Sequence, residues 1–145
     1  MLGAAIERRH DVNNMTSLKV LVVDDDPDAA AGLAELVGTK GHHARVAYDG
    51  RSALRQVRDE DFQLVLLDIG LPDMDGYELA RRLTRLGQRS LSIVVLTGYG
   101  GEEDLRRSDS AGLDAHIVKP CGSEQLARIL DDALARASRS RLSAA

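Results

Sequence analysis

Tryptophan is absent from this 145-residue chain, and aromatic residues make up only 3% of it. The stacking platforms on which single-stranded nucleic acid lies therefore have little to be built from. A basic footprint is missing too: the formal net charge is −4, and no nucleic-acid partner is expected. Cysteine is reduced to Cys121. A lone thiol forms no internal disulfide, so the cytoplasm is the default compartment. No apolar run approaches membrane-spanning length and no signal-peptide pattern opens the chain, so no membrane partner is expected. Repeats and low-complexity tracts are lacking. What remains is 43% apolar and 29% charged, ordinary for a globular protein and long enough for one domain with a proper core.

One stretch organises the rest. Leu64-Val65-Leu66-Leu67 runs straight into Asp68, and a turn-rich segment with Pro72 and Gly76 follows. An unbroken apolar run reads as a strand buried on both faces, as in a parallel sheet. Asp68 then sits where that strand leaves the core, and ligands of open α/β sheets bind outside the carboxyl ends of the strands.

Taken in order, residues 1–17 read as a mobile tail or linker, with weak support for a short helix over 4–9. A first strand over 18–23 ends in Asp24-Asp25-Asp26-Pro27, where Asp26 suits a helix N-cap and Pro27 the first helical position. The helix runs to about Lys40 with Ala30, Leu33, Ala34 and Val37 inward, and Gly41 ends it. A more polar strand over 42–48, with Ala44, Val46 and Tyr48 alternating, belongs at a sheet edge. A helix over 50–59 buries Ala53, Leu54 and Val57, and a third strand over 62–67 delivers Asp68. Asp75 caps the next helix with Glu78 at capping-box spacing, and Leu79, Leu83 and Leu86 line its inner face. A fourth strand over 91–96 ends at Thr97; a loop over 98–101 and a weakly amphipathic helix over 102–111 follow. The fifth strand, 114–118, ends at Lys119-Pro120, and a last helix carries Leu126, Ile129, Leu130, Ala133 and Leu134 at helical spacing before a fraying tail over 138–145. Five strands alternating with five helices predict an α/β, doubly wound parallel sheet.

Four strand ends carry chemistry: Asp24 and Asp25, Asp68, Thr97, and Lys119. In a parallel sheet they share one edge, so topology unites residues far apart in sequence. Carboxylates crowded together repel unless one takes a proton or a cation joins them. Oxygen ligands alone favour a hard ion such as Mg²⁺, with Mn²⁺ as the alternative. Such a site suits phosphoryl transfer, with Asp68 as acceptor nucleophile and Asp24 and Asp25 as metal ligands. Singly, each residue has a plainer role. Asp24 to Asp26 make a cap cluster, Asp68 a turn residue, Thr97 a strand terminus and Lys119 a surface charge. It is their joint occurrence at four strand ends that points to a site.

At this point the chain resembles a response-regulator receiver domain of two-component signalling. The matching pieces are Val22 to Pro27, Leu67 to Gly76, Val95-Leu96-Thr97-Gly98 and Val118-Lys119-Pro120, in the family's order and spacing. They place the domain at 18–137. The resemblance implies a flavodoxin-like five-stranded sheet of order 2-1-3-4-5 with five helices. It implies that Asp68 accepts phosphate from a histidine kinase or histidine phosphotransfer protein. Asp24, Asp25 and Asp68 would hold Mg²⁺ with the Gly70 backbone carbonyl, Asp25 more directly and Asp24 largely through water. Thr97 would bond the phosphate and Lys119 would pair with it, across a Lys119–Pro120 bond that is usually cis in this family. His116 stands where the family's switch more often has Tyr or Phe; its other role is that of a plain strand-face histidine. Gly70, which leaves room for water, and Tyr99, which shields, would tune phosphate lifetime in opposite directions.

The expected product is a switch rather than an enzyme, with self-phosphorylation and slow self-dephosphorylation at most. Phosphate on Asp68 draws Thr97 inward and alters a surface read by a downstream effector protein, either free-standing or as the receiver of a hybrid histidine kinase. Two rivals stand beside it: a Mg²⁺-dependent aspartyl phosphohydrolase, whose acid two residues after the nucleophile would match Asp24 and Asp26, and a receiver fold kept only for protein contacts.

Overall fold

The structure, a computed structural model, describes residues 16–86, 91–98, 115–119 and 121–144. The side chains of 115, 116, 118 and 140–144, and the expected helices over 4–9 and 102–111, lie outside the described residues.

Five strands form one parallel sheet: β1 Lys19–Val23, β2 His43–Ala47, β3 Leu64–Asp68, β4 Ser92–Thr97 and β5 Ala115–Val118. Their order is β2-β1-β3-β4-β5, so β3 lies in the middle and β2 at an edge. The described helices are α1 Pro27–Thr39, α2 Gly50–Asp59, α3 Gly76–Arg85 and α4 Ser123–Ala144.

Strand pleating splits the apolar runs between two cores. Leu21, Val23, Val65, Leu67, Ile93 and Val95 face Ala53 and Val57 of α2 and Tyr77, Leu79, Ala80 and Leu83 of α3. Val20, Val22, Leu64, Leu66, Val94 and Leu96 face Ala30 and Val37 of α1 and Leu126, Ile129, Leu130 and Ala133 of α4. Every residue of β4 is buried, and so are the first four of β3. This is why those segments read as continuous apolar runs rather than as alternating ones. Each fully buried Leu or Val contributes roughly 1.5–3 kcal/mol of transfer free energy, and the stack is held mainly by that term.

Several boundaries differ from the sequence expectation. Strand β2 begins at His43 and stops at Ala47, leaving Tyr48 51% exposed beyond it. His42 lies just outside, where its Nδ1 accepts a hydrogen bond from the Leu18 N–H at 2.9 Å. Strand β3 starts at Leu64, two residues late, because Gln63 serves β1 from outside the ladder. Its N–H donates to the Lys19 carbonyl and its Oε1 accepts from the Lys19 N–H. On α3, Leu86 is 40% exposed rather than inward, because it sits past the last helical residue; Tyr77 and Ala80 complete the buried face. The last helix continues through 138–144, the stretch that reads as a tail. Ala, Arg, Ser and Leu there carry no helix breaker, so backbone bonding propagates past the end of the apolar stripe.

Candidate functional site

The end of β1 divides three consecutive aspartates among three tasks. Asp24 stays inside because its N–H still donates to the Ala47 carbonyl of β2 at 3.0 Å, and only 6% of the residue is exposed. Its Oδ1 accepts from the Asp26 N–H at 3.0 Å, a tight turn that reverses the chain. Asp25 is exposed. Asp26 caps α1, its Oδ1 accepting from the Asp28 N–H at 3.0 Å, with Pro27 following as expected.

Asp68 ends β3 opposite Leu96 and is partly exposed. Beyond it the Ile69 N–H donates to the Leu96 carbonyl at 3.3 Å, and the Ile69 carbonyl accepts from Leu71 and Gly76 at 3.0 and 3.3 Å. The start of α3 is thereby pressed onto the strand end. A methyl on Gly76 would lie 2.8 Å from the Ile69 Cα, so only glycine permits that approach. Gly70 is exposed, and a methyl placed there would meet nothing within 4 Å, so open space adjoins Asp68.

Thr97 ends β4 and is 6% exposed. Its carbonyl accepts from the Lys119 N–H at 2.7 Å, which fixes where the lysine leaves β5. The Lys119 ammonium lies 3.2 Å from Asp68 Oδ1 and 3.5 Å from Asp24 Oδ2. Oxygens of Asp24, Asp25 and Asp68 all lie within 4.8 Å of one another.

The electrostatics of this cluster are unbalanced. Burial pushes the Asp24 carboxyl above its ordinary value, and the Asp68 charge adds to this; the Asp26 N–H and Lys119 pull the other way without cancelling it. Burial alone would lower Lys119, but its hydrogen bond to Asp68 and the two carboxylate charges hold it above the usual lysine range. One ammonium, paired with Asp24 and Asp68, thus stands beside three carboxylates. The donor set is all oxygen, with one ligand buried, one half-buried and one exposed, which fits a small hard divalent cation that keeps some of its water. The same arrangement places a carboxylate, a cluster of oxygens that could hold a cation and an ammonium close together, the parts a phosphoryl acceptor needs.

The five residues expected on one edge, Asp24, Asp25, Asp68, Thr97 and Lys119, do lie at the carboxyl ends of β1, β3, β4 and β5. His116 falls on β5 in register with Val95, and its side chain lies outside the described residues. Tyr99 and Pro120, and with Pro120 the expected cis bond, also lie outside them.

One residue of the site's surroundings had no expected role. Asp73 accepts from the Gly50 N–H at 2.8 Å through one oxygen and from the Arg51 N–H at 3.1 Å through the other. These amides hold its carboxyl below the ordinary aspartate value. The only trace of this in the sequence is a glycine at the first position of α2, beside Asp49, which itself caps the helix through the Ser52 N–H at 2.7 Å.

A family model described as the response regulator receiver domain matches residues 20–131. The chain is 39% identical over 116 residues to the gliding motility regulatory protein of Myxococcus xanthus, covering 79% of this chain and 15% of that protein. It is 33% identical over 109 residues to the sensor histidine kinase RcsC of Escherichia coli (strain K12), covering 75% of this chain and 11% of that one. The chain therefore spans less than a sixth of the length of either relative. Among solved structures, the CheY-like response regulator receiver domain protein of Methanospirillum hungatei JF-1 superposes with a TM-score of 0.80 at 29% identity, covering 86% of this chain and 99% of that one.

Proposed function

The chain belongs to the response regulator receiver domain family, and from that premise we propose that Asp68 is its phosphoacceptor in a Mg²⁺-dependent phosphorelay. The observation that carries this is the convergence of Asp24, Asp25, Asp68 and Lys119 at one strand edge, with the ammonium 3.2 Å from Asp68 Oδ1.

Asp24, Asp25, Asp68 and the Gly70 carbonyl would hold the ion, which supplies charge neutralisation for the incoming phosphoryl group. A carboxylate oxygen of Asp68 attacks phosphorus, the P–N bond of the partner's phosphohistidine breaks, and the imidazole leaves with its electron pair. Lys119 pairs with a phosphoryl oxygen, and the Thr97 hydroxyl donates to another once it arrives. Gly70 and Tyr99 would tune the lifetime of the acyl phosphate in opposite directions. His116 takes part in passing the event to an effector-binding surface. The donor is a histidine kinase or a histidine phosphotransfer protein. The chain works in the cytoplasm, as a free-standing receiver or as part of a hybrid kinase. Among the described residues no helix is long and apolar enough to cross a membrane.

The phosphohydrolase alternative would need Asp26 as its acid, yet that carboxylate is committed to capping α1. We therefore read the chain as a kinase's substrate and a signal carrier, not as a catalyst of turnover. Incubation with Mg²⁺ and a small acyl-phosphate donor should label the wild-type chain at Asp68 and leave Asp68→Asn unlabelled. Undiminished labelling of that variant refutes the assignment.

A further inference from the structure

On the reading above, the loop between β3 and α3 carries the Gly70 carbonyl to the ion site, and a methyl placed on Gly70 would meet nothing within 4 Å. Something else has to hold that loop. Its near end is tied by the two bonds to the Ile69 carbonyl. Its far end is tied to a different helix. The Asp73 carboxylate bridges the first two amides of α2, at 2.8 and 3.1 Å, across 23 and 22 residues of sequence. Next to it the Met74 side chain packs so closely over Gly50 that a methyl on Gly50 would lie 2.6 Å from its Cγ and Sδ. A carboxylate at a helix N-terminus is favoured by the exposed amides and the helix dipole. Here the carboxylate comes from the loop beside Asp68, and α2 already has its own cap in Asp49. Asp49 serves the Ser52 amide while Asp73 serves the two amides ahead of it, so the second carboxylate completes the helix cap and in doing so ties the loop to α2.

We propose that Asp73 is a positioning residue for the ion site: with Met74 it clamps the loop after Asp68 to the N-terminus of α2, and so holds the Gly70 carbonyl where the metal is bound. The proposal rests on the reading that this edge binds Mg²⁺. It assigns α2, which contributes no ligand, a part in the site's geometry, and it makes Gly50 and Met74 the packing half of the same clamp.

The test compares Asp73→Ala with Asp49→Ala. Both remove a carboxylate from the same helix terminus, and both lower thermal stability, but only Asp73 sits on the loop. Isothermal titration of the full chain with MgCl₂ should give a dissociation constant raised about fivefold or more in Asp73→Ala and near the wild-type value in Asp49→Ala. Amide exchange over 69–74, measured without metal, should quicken in Asp73→Ala and stay unchanged in Asp49→Ala. Gly50→Ala, which removes no charge, should weaken Mg²⁺ in the same direction by displacing Met74. Equal loss in Asp73→Ala and Asp49→Ala would reduce the effect to charge and helix stability, and would overturn the proposal. So would wild-type affinity in Asp73→Ala. Absence of Mg²⁺ binding by the wild-type chain is a distinct outcome: it brings down the ion site itself and this inference with it.

Discussion

The two edges of the sheet carry the same kinds of charge and resolve them differently. Beside the amino ends of the strands, Glu60 meets Lys19 at 2.6 Å and Arg45 at 3.2 Å, two cations for one carboxylate. Its hydrogen bond to Lys19 holds the Glu60 carboxyl below its ordinary value. At the carboxyl ends, Asp24 lies above its ordinary value, with one ammonium for three carboxylates. The first edge is satisfied by the protein alone. The second leaves more carboxylate charge than Lys119 can match, a place that suits a cation or a proton. Local conflict of this kind is the usual mark of a site rather than of a fold.

Three experiments would sharpen or break that contrast. The largest effect should come from adding a divalent cation. Mg²⁺ at 100 times its dissociation constant should raise the unfolding free energy by about 2.7 kcal/mol. Asp25→Asn, which removes an exposed carboxylate of the proposed ion site, should lose most of that gain; equal stabilisation of both proteins in urea titrations would place the ion elsewhere.

Next comes the conflict itself. Without Mg²⁺, Asp24→Asn should be more stable than wild type by about 1 kcal/mol at pH 7, because it relieves a buried like charge and keeps an acceptor for the Asp26 N–H. The folded state holds its Asp24 proton to higher pH than the unfolded chain does. The stability that Asp24 contributes is therefore lost as pH rises from about 3.8 through the raised value. The advantage of Asp24→Asn should accordingly vanish below pH 3.8. A variant less stable than wild type at pH 7 would mean that the cluster is balanced.

The smallest effect belongs to the satisfied edge. Glu60→Gln should cost a little stability at neutral pH and low salt, and the loss should fade in 1 M NaCl. Because the folded pKa is lowered, the contribution of Glu60 is present above pH 4.5 and disappears as pH falls through the folded value. Chemical-denaturation midpoints at two pH values and two salt concentrations measure it.

Much of this molecule was legible from side-chain pattern. The runs at Leu64 to Leu67 and Ile93 to Leu96 are apolar at every position because each faces a core on both sides. Helix α2 spans Gly50–Asp59 as its turn residue and apolar spacing imply. The ends of β1, β3, β4 and β5 were recognisable because polar residues follow apolar runs directly. Boundaries were harder, since they depend on partners. Gln63 looks like strand from its neighbours, yet its amide oxygen serves the backbone of Lys19. Glu78 stands at capping-box spacing, yet its carboxylate meets Arg81 at 2.7 Å and Arg82 at 3.3 Å. The role of Asp73 left almost no trace, because its partners lie on another helix.

The sequence by itself determined which segments are strands and helices, and which residues stand where each strand stops. Periodicity and caps are local, and they need only neighbouring residues to be read. Tertiary structure alone decided that Asp24, Asp25 and Asp68 come within 4.8 Å of one another, and that Lys119 reaches two of them. Strand order and register set that meeting, and both are fixed by burial across the whole sheet. It is also where the ordinary chemistry of four side chains becomes a charge imbalance that a cation or a proton would relieve.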